Sequence, residues 1–523
     1  MLLMLCVCFV VIFSILCYAW SFWGVTVFNF LFCGGGLWGL FGVVDVVSIF
    51  VWLMLGFCFY YVLNYTHHYF GHSICGFDLN KIIVIFVGVM ASLVVTGDFL
   101  TTLVFWEYLG VVSYFLILFY LSYLSLRSSV VTLVSSRFGD VCLFLLIGLY
   151  FWGGASEFIL CALFFFIVIT KSASFPFISW LLEAMRAPTP VSSLVHSSTL
   201  VAAGVWFMMR YDLLLYTNNG AFIFYLCLLT TIFITGVCCF FFLDLKKIVA
   251  LSTCNNIAWC VFYVLYGDLI LALFQLVSHG VSKCLLFMMV GDVMSGSGGS
   301  QASNCVYSSL LYGRWGLFGL YSIILGLSGV PFIGVFFTKH MLLSGFSSFI
   351  NCLFFVVVLF CVFLSYFYSF RLCSILVNVK ISLSSGVYFL CGGGAMVYLW
   401  LITNYFTGGT LDENFIGFYW VTTLLILFQI VAFVCFSYYL YNSVILTWWS
   451  SSLFGSDNLV EYAFELFCNI TVILSGFYYR WDKEVITLLG SGTYYPLTLL
   501  YKNLISLLFI SSIVLLLVIC ILY

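Results

Sequence analysis

The chain has 523 residues, of which 65% are apolar and 7% charged, with a net charge of -2 and a mean hydropathy of +1.25. Soluble proteins carry roughly 25% charged residues, so 16 Lys+Arg and 18 Asp+Glu cannot cover a chain of this length in water, and a soluble globule is excluded. The sparse, unclustered Lys and Arg also exclude nucleic acid as a partner, because that needs a basic patch.

A spanning helix needs about 20 apolar residues. Runs of that kind fall at about 2–22, 25–43, 46–65, 81–97, 99–123, 127–152, 158–182, 190–211, 221–243, 248–266, 269–294 and 308–330. They continue at about 332–350, 351–377, 386–405, 416–448 and 503–523, and predict roughly 14 to 16 spans in all. Backbone amides in hydrocarbon must all be paired, so only helices or a closed barrel are allowed. The runs lack the alternation of a barrel strand, and the expected fold is an all-α polytopic membrane protein without strands. Membrane lipids are the first partner this implies, while Lys and Arg are too evenly placed to give an orientation.

The first run, Leu2 to Ala19, has no basic leading region and reads as a retained span, not a cleaved signal or transit peptide. Polar breaks at His67–Lys81, Thr217–Gly220, Ser295–Asn304 and Thr407–Asn414 read as short loops. The stretch 450–502 instead concentrates Asp457, Glu461, Glu465, Arg480, Asp482, Lys483 and Glu484, and is expected to be an interfacial or laterally packed helix. The 22 Cys are mostly scattered through apolar runs, as at Cys6, Cys8, Cys161 and Cys361, without a ligand spacing. They read as small hydrophobes, and no metal or iron–sulfur site is expected on this chain. With 60 Phe, 34 Tyr, 43 Gly and only 5 Pro, the composition fits a coding strand rich in T and G, as in an organelle genome.

A charged residue at the centre of a span costs about 2.5–3.5 kcal/mol on insertion scales and usually marks an ion or proton path. Glu107 sits in LVFWEYLGVVSYF and reads as such a group or as a helix-end carboxylate beside Trp106. Arg137 and Asp140 are three apart and can share a helix face, as a structural or a functional pair. Lys171 closes an uncharged run and precedes Pro176, which breaks a helix and frees backbone groups for a buried polar site; snorkelling to the interface is its bland alternative. Gln275, His279 and Lys283 recur at i, i+4 and i+8 and form one polar stripe on an apolar helix. Lys339 follows Pro331 by eight residues, and Pro331–Gly334 (PFIG) echoes Pro176–Ser179 (PFIS). Paired interrupted helices of this sort point to an inverted-repeat transporter. His196 lies among small hydroxyl residues, and Lys246 and Lys247 begin a new run where one of them is expected at the membrane edge. Burial disfavours a charged ammonium and a nearby carboxylate favours it, so amine and acid set in lipid can trade protons.

In these motifs the chain resembles the antiporter-like subunits of respiratory complex I. The likeness lies in KSASFPFISWLLEAMRAPTPVSSLVHSSTLVAAGVW (171–206), FWEYLGVVSY (105–114), SRFGDV (136–141), DLKKIVALSTCNN (244–256), SHGVSKCLLF (278–287), SGVPFIGVFFTKHMLL (328–343) and YSFRL (368–372). It runs from about 98 to 372. It implies two inverted repeats with broken helices: N-terminal helices over 1–97, a first half over 98–211 with its break near Lys171–Pro176, and a second half over 212–377 with its break near Pro331–Lys339. C-terminal helices over 378–523 would include a reduced lateral helix at about 450–502.

The resemblance implies proton-transfer roles for Glu107, Lys171, His196, His279, Lys283 and Lys339, with Arg137, Asp140, Lys247 and His340 as supporting charges and no redox site on this chain. A Lys at 339 separates it from the subunit 4 homologue, which carries a carboxylate there and would be a partner in the membrane arm. FMN, iron–sulfur clusters and ubiquinone would belong to other subunits of an NADH:ubiquinone oxidoreductase in the mitochondrial inner membrane. Two positions depart from the family pattern: Gln275 stands where His is usual, and His340 where Asp is usual. The large subunit of a multisubunit cation/proton antiporter, which shares the family, and a structural scaffold with paired interhelical charges are the alternative expectations.

Overall fold

The computed structural model describes residues 26–31, 39–71, 73–152, 157–211, 221–309, 313–331, 334–346, 352–377, 380–382, 400–402, 404, 419–438 and 444–485. The expected spans at 2–22 and 503–523, most of 386–405 and the 486–502 part of the lateral segment lie outside them. The chain divides into two compact units, residues 1–456 and 457–523.

The first unit is a helical bundle. Its elements are β1 (Thr26–Leu31), β2 (Gly39–Val44), α1 (Val46–Phe70), α2 (Ile74–Val95), α3 (Phe99–Leu118), α4 (Tyr123–Trp152), α5 (Glu157–Lys171), α6 (Ser179–Ala184), α7 (Thr189–Leu194) and α8 (Leu200–Tyr211). They continue with α9 (Ala221–Phe241), α10 (Leu245–Tyr266), α11 (Leu269–Gly296), β3 (Tyr307–Ser309), α12 (Gly313–Ser328), α13 (Val335–Phe346), α14 (Cys352–Val377), β4 (Lys380–Ser382), α15 (Tyr419–Tyr438) and α16 (Val444–Ser451). Among the described residues nine helices are long and apolar enough to cross a membrane, and shorter apolar helices lie at Phe318–Ser328, Trp420–Cys435 and Cys468–Phe477. The protein is an all-α, multi-pass membrane protein.

Two local departures correct the expectation of no strands. β1 pairs antiparallel with β2, from Thr26 opposite Val44 to Leu31 opposite Gly39, so the apolar run at 25–43 is not a spanning helix. Gly34, Gly35, Gly36, Gly39 and Gly42 lie in or beside it, and Gly is the least helix-favouring residue after Pro, while Val and Phe suit a strand. A three-residue parallel pair joins β3 to β4.

The bundle is layered around α10, in which every residue from Ile248 to Val264 is buried. Helices α2, α3, α4 and α14 show apolar side chains outward, among them Ile85, Phe115, Val134, Phe144 and Val356, where lipid replaces water as solvent. Hydroxyls inside the bundle satisfy themselves locally: on α4, Ser128, Ser129, Thr132 and Ser136 each donate to the carbonyl three residues earlier at 2.8 Å, as side chains without water must.

Both expected interruptions are present. α5 ends at Lys171 and α6 resumes at Ser179, with Ala173 at φ +55° between them. α12 ends at Ser328 and α13 resumes at Val335. Gly329 takes φ +89° there, and a Cβ on it would lie 3.2 Å from the Phe336 backbone nitrogen, so Gly is required for both conformation and space. Across the first break α8 packs closely, because a Cβ on Gly204 would meet the Val168 carbonyl at 3.0 Å and the Ser172 nitrogen at 3.1 Å.

In the second unit, α17 (Ser456–Arg480) is a single helix. Leu459, Tyr462, Leu466, Ile470, Ile473 and Phe477 are exposed at three- and four-residue intervals. Glu461 and Glu465 lie off that stripe, which is the pattern of an amphipathic helix.

The close approach at Gly204 predicts that Gly204→Ala destabilises the protein by about 1–3 kcal/mol through overpacking. The thermal midpoint of the purified protein in detergent reads this; an unchanged midpoint would mean the break at Lys171 yields freely.

Candidate functional site

The first charged group joins α3, α4 and α5. Arg137 pairs with Glu107 across the two helices and lies 3.5 Å from Asp140 Oδ2 on its own. The three-residue spacing puts Arg137 and Asp140 on one helix face, and a single guanidinium nitrogen, Nη1, lies against both carboxylates. Asp140 is buried, whereas Glu107 and Arg137 keep part of their side chains exposed. Lys171, at the end of α5, is 1% exposed. Its Nζ has no hydrogen-bond partner among the described residues and lies 5.0 Å from the centre of the Trp106 ring. Glu107 therefore reaches Lys171 only through the field of the cluster, its direct partner being Arg137. Ser113, Thr132, Ser136, Thr170 and Trp180 line a small pocket with Lys171.

His196 follows α7 in a five-residue π turn, Val195–Thr199, of the kind frequent at functional sites. It is fully buried, with its ring 6.4 Å from Trp180. On α11, Gln275, His279 and Lys283 are all buried, as their common stripe predicts. Among the described residues the ring nitrogens of His196 and His279 make no well-formed hydrogen bond. Gly280 lets α11 close on α1, because a Cβ there would fall well inside van der Waals contact of the Met54 Sδ.

Lys283 donates to Ser252 Oγ and, at 3.4 Å, to the Val249 carbonyl, both on α10. Ser252, Asn256, Lys283, Ser328 and Tyr368 line a small pocket. Beyond it, Lys339 donates to the Ser328 carbonyl at 2.7 Å and to Ser365 Oγ at 2.6 Å, and sits 4.2 Å from the Tyr366 ring centre. The carbonyl of Ser328 is free because α12 ends there. One pocket thus runs from Lys283 to the residue that holds Lys339. His340, the other departure from the family pattern, is buried and stacks on Phe336 with ring centres 6.0 Å apart. Gln275 Oε1 accepts a 2.8 Å bond from Thr338, so the amide ties α11 to α13.

The adjacent lysines of α10 separate. Lys246 is 5% exposed and donates to the Ala187 carbonyl at 3.3 Å. Lys247, the one expected as a supporting charge, is 40% exposed and pairs with Asp244 at 3.4 Å. Neighbouring helix positions point about 100° apart, and packing alone decides which faces inward. Lys246 is the residue that sequence reasoning missed.

Among the described residues, none of Lys171, Lys246, Lys283 and Lys339 has a carboxylate within 4.0 Å. Arg371, also buried, donates to the carbonyls of Cys239 and Phe242 at the end of α9, a cation at a helix C-terminus, and so serves the fold.

A family described as NADH:quinone oxidoreductase/Mrp antiporter, TM, matches residues 96–367, just over half of the chain and every candidate residue from Glu107 to His340. The chain is 32% identical over 337 residues to NADH-ubiquinone oxidoreductase chain 5 of Artemia franciscana, covering 62% of this chain and 60% of that one. To the protein of the same name in Locusta migratoria it is 33% identical over 351 residues, with 63% and 60% covered. In Caenorhabditis elegans the figures are 34% over 339 residues, with 61% and 60%. The match spans about 60% of the length of these relatives. Two solved structures share the fold: an Mrp complex from Dietzia sp. DQ12-45-1b, at TM-score 0.72 and 18% identity over 96% of this chain and 59% of that one, and the membrane-bound sulfane sulfur reductase, an archaeal respiratory membrane complex, at 0.63 and 15% over 78% and 87%. On the residues it shares with that family, from the first carboxylate to the last buried lysine, the chain belongs to the NADH:quinone oxidoreductase/Mrp antiporter transmembrane family.

Proposed function

We propose that this chain is a proton-translocating membrane-arm subunit of NADH:ubiquinone oxidoreductase, respiratory complex I. Protons move along Glu107, Lys171, His196, Lys246, His279, Lys283 and Lys339 with water between them, while FMN, iron–sulfur clusters and ubiquinone are held by other subunits. The subunit 4 homologue is its neighbour, and the mitochondrial inner membrane its location.

The observation that carries this reading is a set of four buried amines with no acid within 4.0 Å among the described residues: Lys246, Lys283 and Lys339 donate to hydroxyls and carbonyls, and Lys171 has no hydrogen-bond partner there. An ammonium fixed for structure alone would be matched by a buried carboxylate, since an unpaired buried charge is among the costliest features a fold can hold. An amine that alternates between charged and neutral forms is better served by hydroxyls, which accept from the ammonium and donate to the free amine. Lys171, with no partner among the described residues, faces the field of Glu107, Arg137 and Asp140, so a change in that cluster alters its hold on a proton. Lys283 passes protons towards Lys339 by way of the pocket that it lines together with Ser328, whose carbonyl holds Lys339.

In sealed vesicles holding the assembled complex, Lys171→Met and Lys283→Met are expected to lower NADH-driven proton translocation by at least about tenfold, the scale on which a lost acid–base group acts. Glu107→Gln lowers it severalfold. Parental proton-to-electron ratio and rate in Lys171→Met and Glu107→Gln together reject the relay. Transport that depends on Na+ and proceeds without NADH oxidation would instead assign the chain to a multisubunit cation/proton antiporter, the reading that the shared fold of the Mrp complex favours.

The unequal burial of the α10 lysines gives a second measurement. Lys246→Met is expected to depress proton translocation about tenfold more than Lys247→Met, and equal effects would mean that position, not burial, matters.

A further inference from the structure

Apart from this row, titratable side chains gather at one end of the bundle. α1 has 25 residues and α11 has 28, so at 1.5 Å per residue they rise about 37 Å and about 42 Å. Both exceed a hydrocarbon layer of about 30 Å, and their last turns reach the membrane edge. There His68 Nε2 lies 3.5 Å from Asp292 Oδ1, with side chains 24% and 5% exposed.

Tyr65, three residues before His68 with ring centres 6.1 Å apart, is fully buried and faces both Asp292 and Thr189. Gly291 makes this approach possible, because a Cβ there would lie 2.5 Å from the Tyr65 hydroxyl and 3.4 Å from the Thr189 Cβ. Thr189 opens α7 two residues after Ala187, whose carbonyl holds Lys246 Nζ. The other titratable groups of these last turns are His67, edge-on to Phe77 at 5.8 Å, and Tyr69, 5.9 Å from Tyr65; α7 contributes none.

We propose that His68, Asp292 and Tyr65 form a second proton-exchange site, which connects water at this membrane edge to the Lys246 end of the buried row. The proposal rests on the proton-translocating reading above. His68 takes a proton from water on one ring nitrogen and releases one from Nε2 to the Asp292 carboxylate. Asp292 gives it to the Tyr65 hydroxyl as that hydroxyl donates its own proton towards Thr189, and a water beside Thr189 delivers one to the neutral Lys246 amine. Each side chain of the relay returns to its starting number of protons, His68 regains its starting tautomer by exchange with water at the edge, and the net change is one proton moved from water to Lys246. An acid buried to this degree beside a partly exposed imidazole and a hydroxyl has the donors and acceptors this transfer needs.

The test compares initial rates of NADH-driven proton translocation by the intact complex in sealed vesicles, with the amount of this chain per complex measured in each preparation. Asp292→Asn is expected to lower the rate about tenfold, Asp292→Glu to restore it to within about twofold, and His68→Gln to lower it about threefold. Parental rates in Asp292→Asn, or a loss that Asp292→Glu fails to restore, overturn the proposal, the second outcome marking a purely structural tie between α1 and α11. Should Asp292→Asn prevent assembly, His68→Gln decides alone, and a parental rate there overturns it. Lys283→Met separates the two readings: if it stops translocation while Asp292→Asn does not, only this site is rejected, and if neither has an effect, the proton-translocating function itself falls.

Discussion

A cationic amine in a lipid-embedded bundle must find oxygen atoms, and in this chain the bundle supplies them from hydroxyls and from helix ends. Ser252 and Ser365 are hydroxyl partners of Lys283 and Lys339. Ser328 and Ala187 offer carbonyls where α12 stops and before α7 starts, since a helix end leaves backbone oxygens without an intrahelical partner. The break after α12 and the loop before α7 serve this requirement.

The same constraint explains where the acids lie. Glu107 and Asp140 are gathered around Arg137 at one group and are not distributed one to each lysine. Such one-to-one pairing would satisfy each ammonium and also fix it in the charged form. Concentrating the acids in a cluster that borders Lys171 leaves the later amines held by neutral oxygens, whose affinity for the two protonation states differs less. The small residues beside these groups have a matching purpose: Gly280 and Gly291 let α11 approach its neighbours.

Much of the site was legible because charge is so rare in this composition. Lys171, Lys283 and Lys339 stood out as cations inside apolar runs, and each is buried. The stripe Gln275, His279, Lys283 followed from helical spacing, and both interruptions followed from Pro176 and Pro331. Less legible were features that depend on which face of a helix meets which neighbour. Lys246 and Lys247 are equivalent in the sequence, and Asp292 and His68 are far apart in it. The run at 25–43 was apolar enough to span, but hydropathy does not register the backbone freedom of its glycines, and β1 and β2 pair instead.

By itself the sequence determined the solvent and the class of fold, because 65% apolar residues in long runs can be stable only as lipid-embedded helices, and it marked the ionisable residues that such a setting makes costly. Only the tertiary structure decided the partners of those residues: Arg137 between two acids, Lys283 on α10, Lys339 on the free end of α12, and Lys246 turned inward where Lys247 is not. The reason is that burial cost is a property of one side chain in its run, whereas partnership depends on the rotation and separation of helices that are distant in the chain.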